Sequence, residues 1–464
     1  MNFRVEWMMN MLSLGIKRRI LQRVGVRKSS CFLFLGVFFS LCMGSPALAA
    51  LPIQQWMTEN GSKVLFVETH AIPVLDISVE FDAGSRRDPE GKNGLAVLTN
   101  GSLDKGILPI YGDGVSESKI LDTFADTGAL RSSKITMDRA GYTLRVLSDQ
   151  AESKKAIELM SRLLATPSFP EELLERDKMR LVASIKEEMT RPEAIAVKTF
   201  KQDIYHDHPY GKSPSPESVV SITRDDLVSF HKTHYVANRA VISIVGDIDK
   251  ERAREIAAEI SRDLPISHQE LPALPIVKTT FGKTEAVSHP ATQAHVLLGM
   301  PAVRRGDTDF FALTVGNYIL GGGGFSSRLM QEIREKRGLS YSVYSKFQPM
   351  LQEGPFIVGL QTEKKQADDA LKVTHSTLDT FLKEGPTAAE LQSAKDHLVN
   401  SFAMQMDNNR KVLELISLIG YYRLPLNYLD TWTANVKRVT AEDVKAAMNR
   451  KLSTEKMVTV IVGN

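Results

Sequence analysis

The chain has 464 residues, 43% of them apolar and 24% charged, which is long enough for two or more domains with hydrophobic cores. Its formal charge of +3 comes from the amino terminus: residues 1–49 carry seven Lys or Arg and one Glu, and the rest carries 51 basic and 54 acidic residues. This balance argues against a strongly basic protein that binds nucleic acid or anionic membranes.

The amino terminus has the three parts of a secretory signal. A basic stretch is followed by an apolar run, Cys31–Met43, and then by small residues that end at Ala49. The alternative is an uncleaved membrane anchor, but the apolar run is short for a hydrocarbon core of roughly 30 Å. We therefore predict a signal peptide over residues 1–49, cleavage near Ala49 and a periplasmic or secreted protein without stable membrane insertion. Both cysteines, Cys31 and Cys42, would be removed with the signal.

The next elements favour an α+β fold. In Val64–Glu68 and Leu75–Phe81 the apolar residues alternate with polar ones or form a continuous run, as in strands. The apolar residues of Ala151–Ala165 and Leu173–Glu188 recur with helical periodicity. Strands follow strands as often as they follow helices. We predict mainly antiparallel sheets with helices packed on one face.

Two segments with the same layout indicate an internal repeat. Each has a Thr with an acid three residues later, which predicts a capped helix, and then a β-branched run that ends in Gly. Thr223 to Gly246 and Thr440 to Gly463 both span 23 residues. The shared spacing predicts two homologous domains of about 200 residues each.

Three prolines between the repeats predict a semi-rigid linker. The predicted organisation is an amino-terminal domain over residues 50–263, a linker over 264–278 and a carboxy-terminal domain over 279–464.

A family resemblance rests on the run Asp82-Ala83-Gly84-Ser85-Arg86-Arg87-Asp88, followed by Gly94-Leu95-Ala96. The run resembles the opening of the pitrilysin/insulinase family of zinc peptidases, in the short bacterial branch similar to mitochondrial processing peptidase. In that family a helix follows with the inverted motif H-x-x-E-H, whose histidines bind zinc and whose Glu activates the bound water. The resemblance implies two homologous domains that form half of a clamshell.

The zinc motif is degenerate in this chain. Val97 and Gly101 stand where the family has its two histidines, and Asn100 stands where it has the Glu. The distal Glu ligand of the family falls near Ser184, with Glu187 and Glu188 close by. The resemblance therefore implies no metal ligand and no catalytic residue in this chain. The other close histidine pairs, which we interpret as surface or helix-end residues, are His206 with His208 and His231 with His234.

The second half has an intact segment. A glycine run, Gly321-Gly322-Gly323-Gly324, leads into a predicted short helix with a Ser N-cap and Gly338 just past its end, and Ser340–Tyr344 is a predicted strand. Arg334 lies in the last helical turn and Tyr341 at the start of the strand. The glycine run lacks the Lys and the flanking elements of nucleotide-binding loops.

The resemblance gives this segment a role. In the family, an Arg and a Tyr seven residues apart face the zinc site and hold the substrate, as Arg334 and Tyr341 would do here. An Arg fork and a phenol hydroxyl can both donate hydrogen bonds to a peptide carbonyl or oxyanion. The glycine run Gly321–Gly324 either contacts substrate or serves as a mobile helix terminator, and the sequence favours neither.

Three hypotheses follow. The leading one is a non-catalytic subunit of a secreted heterodimeric zinc peptidase, with zinc held by an H-x-x-E-H relative of similar length and with peptides or unfolded segments as substrates. The alternative is a peptide-binding, chaperone-like homodimer without proteolysis. A structural subunit without a binding role is third, and the export signal and the Arg/Tyr pair argue against it.

Overall fold

The computed structural model describes residues 52–110 and 112–463. The predicted signal peptide, its cleavage site at Ala49 and both cysteines lie outside the described residues. Within them, no helix combines the length and the apolar character that crossing a membrane requires.

Each half of the chain has its own set of strands and helices. The strands of the first half are β1 (Gln54–Met57), β2 (Lys63–Glu68), β3 (Val74–Phe81), β4 (Gly106–Ile107), β5 (Val115–Ser116), β6 (Leu130–Ile135), β7 (Ala140–Leu147) and β8 (Val241–Gly246). Its helices are α1 (Leu95–Gly101), α2 (Glu117–Asp126), α3 (Gln150–Ala165), α4 (Glu171–Glu188), α5 (Pro192–Tyr205), α6 (Pro216–Val220), α7 (Arg224–His234) and α8 (Lys250–Arg262).

The strands of the second half are β9 (Lys283–Val287), β10 (Gln293–Val303), β11 (Ser342–Phe347), β12 (Gly354–Glu363) and β13 (Val458–Val462). Its helices are α9 (Phe310–Asn317), α10 (Ala367–Glu384), α11 (Ala388–Phe402), α12 (Asn409–Tyr422), α13 (Tyr428–Arg438) and α14 (Ala441–Lys451).

Two sheets with one topology confirm the α+β class. In the first sheet the strands hydrogen-bond in the order β1-β2-β8-β3-β7-β6, and in the second in the order β11-β12-β10-β13-β9. If β1 is set aside, the two orders superimpose strand for strand. The β2–β8 and β9–β13 pairs are parallel and the other pairs within the two sheets are antiparallel.

The helices that open the matched segments have the predicted caps. The Thr223 hydroxyl accepts the N–H of Asp226, and the Asp226 carboxylate accepts the N–H of Thr223. Thr440 and Asp443 form the same reciprocal pair at the start of α14. Each helix is followed by a fully buried strand, β8 or β13, next to the parallel partner.

Each half contributes one helix to the sheet of the other half, which the sequence did not predict. Helix α12 packs on the first sheet, where its Leu413 and Ile416 share a core with Leu65 and Val245. On the opposite face of this sheet, Val64 and other residues form the main core with the helices of the first half. Each such side chain contributes roughly 1.5–3 kcal/mol when buried, so the exchange stabilises the association of the halves.

The reciprocal contact is made by α5 on the second sheet. Its Phe200 and Ile204 are buried against Val460 and Val462 of β13. A Cβ at Gly299 would lie 3.0 Å from the Phe200 ring, so a glycine is needed where this helix crosses β10.

The segment between α8 and β9 is held against the first half. Its Pro272 and Gln269 carbonyls accept hydrogen bonds from Arg87 and Arg239, both at 2.7 Å. These contacts restrain the linker in addition to the stiffness that its prolines predict. The domain boundaries at residues 263 and 279 remain a prediction, because the described residues form one compact unit.

Candidate functional site

Helix α1 carries the positions at which the resemblance predicts a lost zinc motif. Val97 is half-buried, and a Cβ at Gly101 would meet no atom within 4 Å, so this position faces open space. Proteins bind zinc through imidazole, thiolate and carboxylate groups, and neither position offers one.

Asn100 is a core residue in this structure. It is 2% exposed, and its amide nitrogen donates to the carbonyls of Lys134 at 3.1 Å and Gly141 at 3.2 Å. Its amide oxygen accepts the Tyr235 hydroxyl at 3.0 Å, and burial raises the pKa of that hydroxyl, so it stays a donor. The amide therefore ties α1 to β6, β7 and the end of α7. A carboxylate at this position would face two carbonyl oxygens and lose both donated bonds.

The residues that carry the resemblance form the support of α1. The Asp88 carboxylate accepts two backbone N–H groups at the start of this helix, at 2.8 and 2.7 Å. Burial raises the pKa of Asp88 to about 7, although both hydrogen bonds act in the opposite direction. Asp82 accepts from Arg86 at 2.6 Å and from Arg87 at 2.7 Å. The motif thus fixes the local backbone and presents no free catalytic group.

Three histidines that we interpreted as surface or helix-end residues are buried, which corrects the surface part of that interpretation. His231 Nε2 donates to the Leu164 carbonyl at 2.8 Å, and His234 Nδ1 lies 2.9 Å from the Asp82 carbonyl oxygen. Burial lowers the pKa of both to about 4. His208 is buried too, whereas the histidine two residues before it is exposed. These side chains are neutral packing elements near pH 7.

The described residues do not fit a zinc ion of the family type. Ser184 and its neighbours Glu187 and Glu188 lie exposed on α4. Within residues 52–110 and 112–463, no three His, Cys, Asp or Glu side chains are grouped so that they could hold a metal ion.

A buried polar cluster, which the sequence did not reveal, joins the two halves beside this region. Asp138 is 2% exposed and accepts the hydroxyls of Tyr210 at 2.6 Å and Tyr422 at 2.8 Å. It also accepts the N–H of Leu351 at 2.9 Å and lies 3.2 Å from the Arg86 guanidinium. Since Tyr422 and Leu351 belong to the second half, this carboxylate links residues about 280 positions apart.

The Arg/Tyr segment of the second half begins with an irregular helix. Residues Met330–Glu335 form a π-helix, in which the Lys336 N–H reaches the Gln331 carbonyl at 3.0 Å. The Ser327 carbonyl accepts the Gln331 N–H, but the Ser327 hydroxyl donates to Gly324 at 2.7 Å, so the predicted side-chain cap is replaced by a loop contact. Single-turn π-helices are frequent at functional sites.

Gly338 ends this helix as predicted. It has φ +62°, its N–H donates to the Arg334 carbonyl, and the next N–H, of Leu339, donates to the Ile333 carbonyl. The Gly338 bond is the 5→1 bond of an αL C-cap motif, which requires a residue that tolerates the left-handed region. The turn fixes how the chain passes from Arg334 to Tyr341.

Arg334 and Tyr341 both remain accessible. The Tyr341 residue is 71% exposed and the Arg334 side chain 37% exposed. No hydrogen bond joins the two side chains. Arg334 stacks its guanidinium carbon 4.9 Å from the centre of the Phe325 ring and lies 3.6 Å from Glu335. A cation–π contact of this kind holds a guanidinium in place while leaving its N–H groups available. Phe325, itself 65% exposed, was not recognised from the sequence.

The glycine run is divided into a packed part and an open part. A Cβ at Gly321 would lie 2.5 Å from the Ser345 nitrogen, and Cβ atoms at Gly322 and Gly323 would come within 2.7 Å of α9 residues or the turn after them. Gly324 has φ +60° and open space around it. Packing against the backbone therefore explains Gly321 and Gly323, whereas Gly322 is exposed and its Cβ would first meet the end of the Asn317 side chain. Gly322, Gly324 and Phe325 are the exposed positions at which a substrate could contact this loop.

Strand β11 follows Tyr341 and is an edge strand. It pairs with β12 on one side, and no other described strand pairs with its free side. Tyr344 and Lys346 share one face of β11, and the Lys346 ammonium lies 5.5 Å from the centre of the Tyr344 ring. The unpaired N–H and C=O groups of such an edge can accept an added extended segment.

Two regions of the chain match family descriptions. Residues 63–215 match the insulinase family, peptidase family M16, and residues 221–398 match the peptidase M16 inactive domain. The crystal structure of a peptidase M16 inactive domain from Pseudomonas fluorescens is 35% identical with a TM-score of 0.84, over 89% of this chain and 98% of that chain.

Two proteins of lower sequence identity are also similar to this chain. The non-peptidase homolog YmxG of Helicobacter pylori is 25% identical over 451 residues, which are 95% of this chain and 99% of that protein. The periplasmic protease PqqL of Escherichia coli is 16% identical with a TM-score of 0.76, over 89% of this chain and 45% of that chain, and shows the fold alone. The chain belongs to peptidase family M16, the insulinase family, as an inactive member.

Proposed function

We propose that this chain is the substrate-binding, non-catalytic subunit of an exported heterodimeric zinc peptidase that acts on peptides or unfolded segments. The observation that carries the proposal is the contrast between the two halves. Asn100 is committed to the core where the family has its catalytic Glu, whereas Arg334 and Tyr341 stay exposed beside the free edge of β11.

A partner with H-x-x-E-H would supply the zinc ion and the activated water. An extended peptide would lie along β11, so that main-chain hydrogen bonds give affinity with little dependence on sequence. The Arg334 guanidinium and the Tyr341 hydroxyl would donate to the carbonyl under attack. Such donors stabilise the oxyanion more than the ground-state carbonyl and therefore act on kcat.

The positioning of Arg334 supports this role. The Arg334 guanidinium stacks on the Phe325 ring, and its shortest ion pair is the 3.6 Å contact with Glu335. Its N–H groups therefore remain available. Arg337, three residues further on, instead pairs with Glu332 at 2.7 Å. The other cations of the segment are also paired, Lys336 with Glu332 and Arg328 with Glu390, so Arg334 is the cation that is most available to a substrate.

The test is the activity of the complex with its H-x-x-E-H relative after single substitutions in this chain. Arg334→Ala and Tyr341→Phe should each lower kcat/KM for an unstructured peptide about 100-fold, since one oxyanion donor contributes roughly 3 kcal/mol. Arg337→Ala is the matched control and should leave the rate within about twofold. Full activity of the Arg334→Ala complex would refute the assigned role.

A second candidate is a peptide-binding homodimer without proteolysis, which the name of the Helicobacter pylori relative as a non-peptidase homolog favours. It predicts that Arg334→Ala weakens peptide binding by this chain alone and that no mixture with a relative cleaves the peptide.

A further inference from the structure

A cavity of about 460 Å³ lies between α4 and α5, outside the Arg/Tyr segment. It includes Ser184, the position near which the family's distal zinc ligand falls. Aliphatic side chains and the ammonium groups of two lysines share its wall: Leu181, Ile185, Met189, Val197, Lys198 and Lys201. Pockets of this size and mixed character suit a single side chain or small ligand with one polar group.

Lys198 and Lys201 both line this cavity, and none of the ion pairs among the described residues includes either lysine. Lys346 is the charged group that acts on Lys201. Burial, and then Lys346, lower the pKa of Lys201. Ammonium groups that lie near each other and are partly buried repel each other when no counter-ion is present. Binding of an anion between them relieves this repulsion.

The carboxylates of the cavity do not neutralise Lys201. Glu188 lies 4.0 Å from Arg191, which is its ion-pair partner. Glu193 is on the same helix as Lys201 but eight residues earlier, which corresponds to about 12 Å along the axis. Lys198 acts on Glu217, whose pKa is lowered mainly by hydrogen bonds and in smaller part by this lysine.

Helix α5, which lines the cavity, lies on the face of the second sheet that carries Lys346. Ile357 of β12 packs against the cluster that contains Phe200 of α5, and Lys346 of β11 lies directly opposite Ile357, on the same face as Tyr344. A Cβ at Gly359 would lie 2.6 Å from the Tyr344 ring, so glycine lets this ring lie flat across β12. A peptide paired with β11 could therefore run from Tyr341 towards the cavity, about 17 Å for five residues.

We propose that this cavity binds the side-chain carboxylate of an Asp or Glu in the bound peptide at Lys201, with Lys198 of the same helix and Lys346 of β11 adding positive charge and the aliphatic wall contacting the neighbouring apolar residue. This specificity rests on the proposed function, because it assumes that a peptide lies along β11. It assigns the chain a preference for acidic, extended segments in which the carboxylate is several residues from the carbonyl held by Arg334.

The test measures binding of fluorescein-labelled peptides of eleven residues by the mature chain alone. The peptides are built from Ala, Ser and Val, blocked at the carboxy terminus, and carry one Glu moved position by position, each with a matched Gln peptide. We expect the Glu peptide to bind at least fivefold more tightly than the matched Gln peptide at one position, or at two positions that are two residues apart. Lys201→Gln should abolish that difference, and Lys186→Gln, an exposed lysine of α4, should leave it unchanged.

Each result decides the matter. Equal affinity of Glu and Gln peptides at every position would overturn the carboxylate pocket while leaving peptide binding intact. Absence of binding for every peptide would overturn the proposed peptide-binding function and the pocket with it. A Glu preference that survives Lys201→Gln, in a variant with an unchanged unfolding midpoint, would refute the role of Lys201. Competition by inorganic phosphate without any Glu preference would identify a general anion site and would also refute the proposal.

Discussion

Replacement of Asn100 by Asp tests whether the degenerate zinc position has become part of the core. The substitution keeps the shape of the side chain but replaces the donor nitrogen by an acceptor oxygen. The carbonyls of Lys134 and Gly141 then lose their bonds, and the Tyr235 hydroxyl keeps an acceptor. An unsatisfied buried group costs about 1–3 kcal/mol, so the two carbonyls together predict a loss of about 2–6 kcal/mol.

The assay is urea unfolding at pH 7.5, followed by circular dichroism. Asn449 provides the matched control, because its amide nitrogen also donates to two carbonyls, of Leu382 and Lys445, both at 2.8 Å, but at an exposed site. Asn449→Asp should cost less than about 1 kcal/mol, since water replaces the lost bonds. A loss below about 1 kcal/mol for Asn100→Asp would refute the reasoning, because it would mean that the position tolerates a carboxylate.

Two further predictions concern stability. Burial lowers the pKa of His231 to about 4, so the unfolded chain binds more protons between pH 6.5 and 4, and stability falls as the pH drops through this window. Between pH 7.5 and 5.0 His231 contributes a loss of about 2 kcal/mol, which His231→Gln should remove. Asp138→Asn should destabilise the chain by about 3 kcal/mol, because it leaves the buried Arg86 guanidinium with less compensating charge and weakens two tyrosine hydrogen bonds.

The pH experiment needs the variant and the native chain side by side. Asp88 acts in the opposite direction, since burial raises its pKa to about 7 and its contribution increases on acidification. The difference between the two chains isolates His231. An equal loss in both would contradict its buried, neutral state. For Asp138→Asn, unchanged unfolding in urea would show that the cluster does not hold the halves together.

Local patterns predicted several of the individual elements. Val64–Glu68 and Leu75–Phe81 are strands within one residue of the expected bounds. They could be predicted because a strand that is buried on one or both faces has alternating or continuous apolar residues. The caps at Thr223 and Thr440 were visible because a capping box is a contact over three residues.

The features that were missed depend on distant parts of the chain. The exchange of α5 and α12 between the sheets leaves no local signal, because an apolar helix face does not specify which sheet it covers. His231 and His234 lie at the end of a helix, as expected. Their burial could not be predicted, because they contact the carbonyls of Leu164 and Asp82, which are distant in the sequence. Asp138 stands in a short turn between two strands, and its role depends on a tyrosine 284 residues away.

The role of Arg334 and Tyr341 remains a prediction, and part of the local structure around them was expected from the sequence. The spacing of Arg334 and Tyr341 identified the segment, and Gly338 ends its helix as expected. The stacking of Phe325 on Arg334 could not be predicted, since it depends on how the glycine run turns back over the π-helix.

The most direct test of the account is hydrolysis of a quenched, unstructured peptide by three samples: the mature chain, its H-x-x-E-H relative and their mixture. The account predicts cleavage by the mixture, loss of this activity with a chelator, and no cleavage by the mature chain alone. Chelator-sensitive cleavage by the mature chain alone would contradict the claim that it has no zinc site, and no gain on mixing would contradict its role as a subunit of a zinc peptidase.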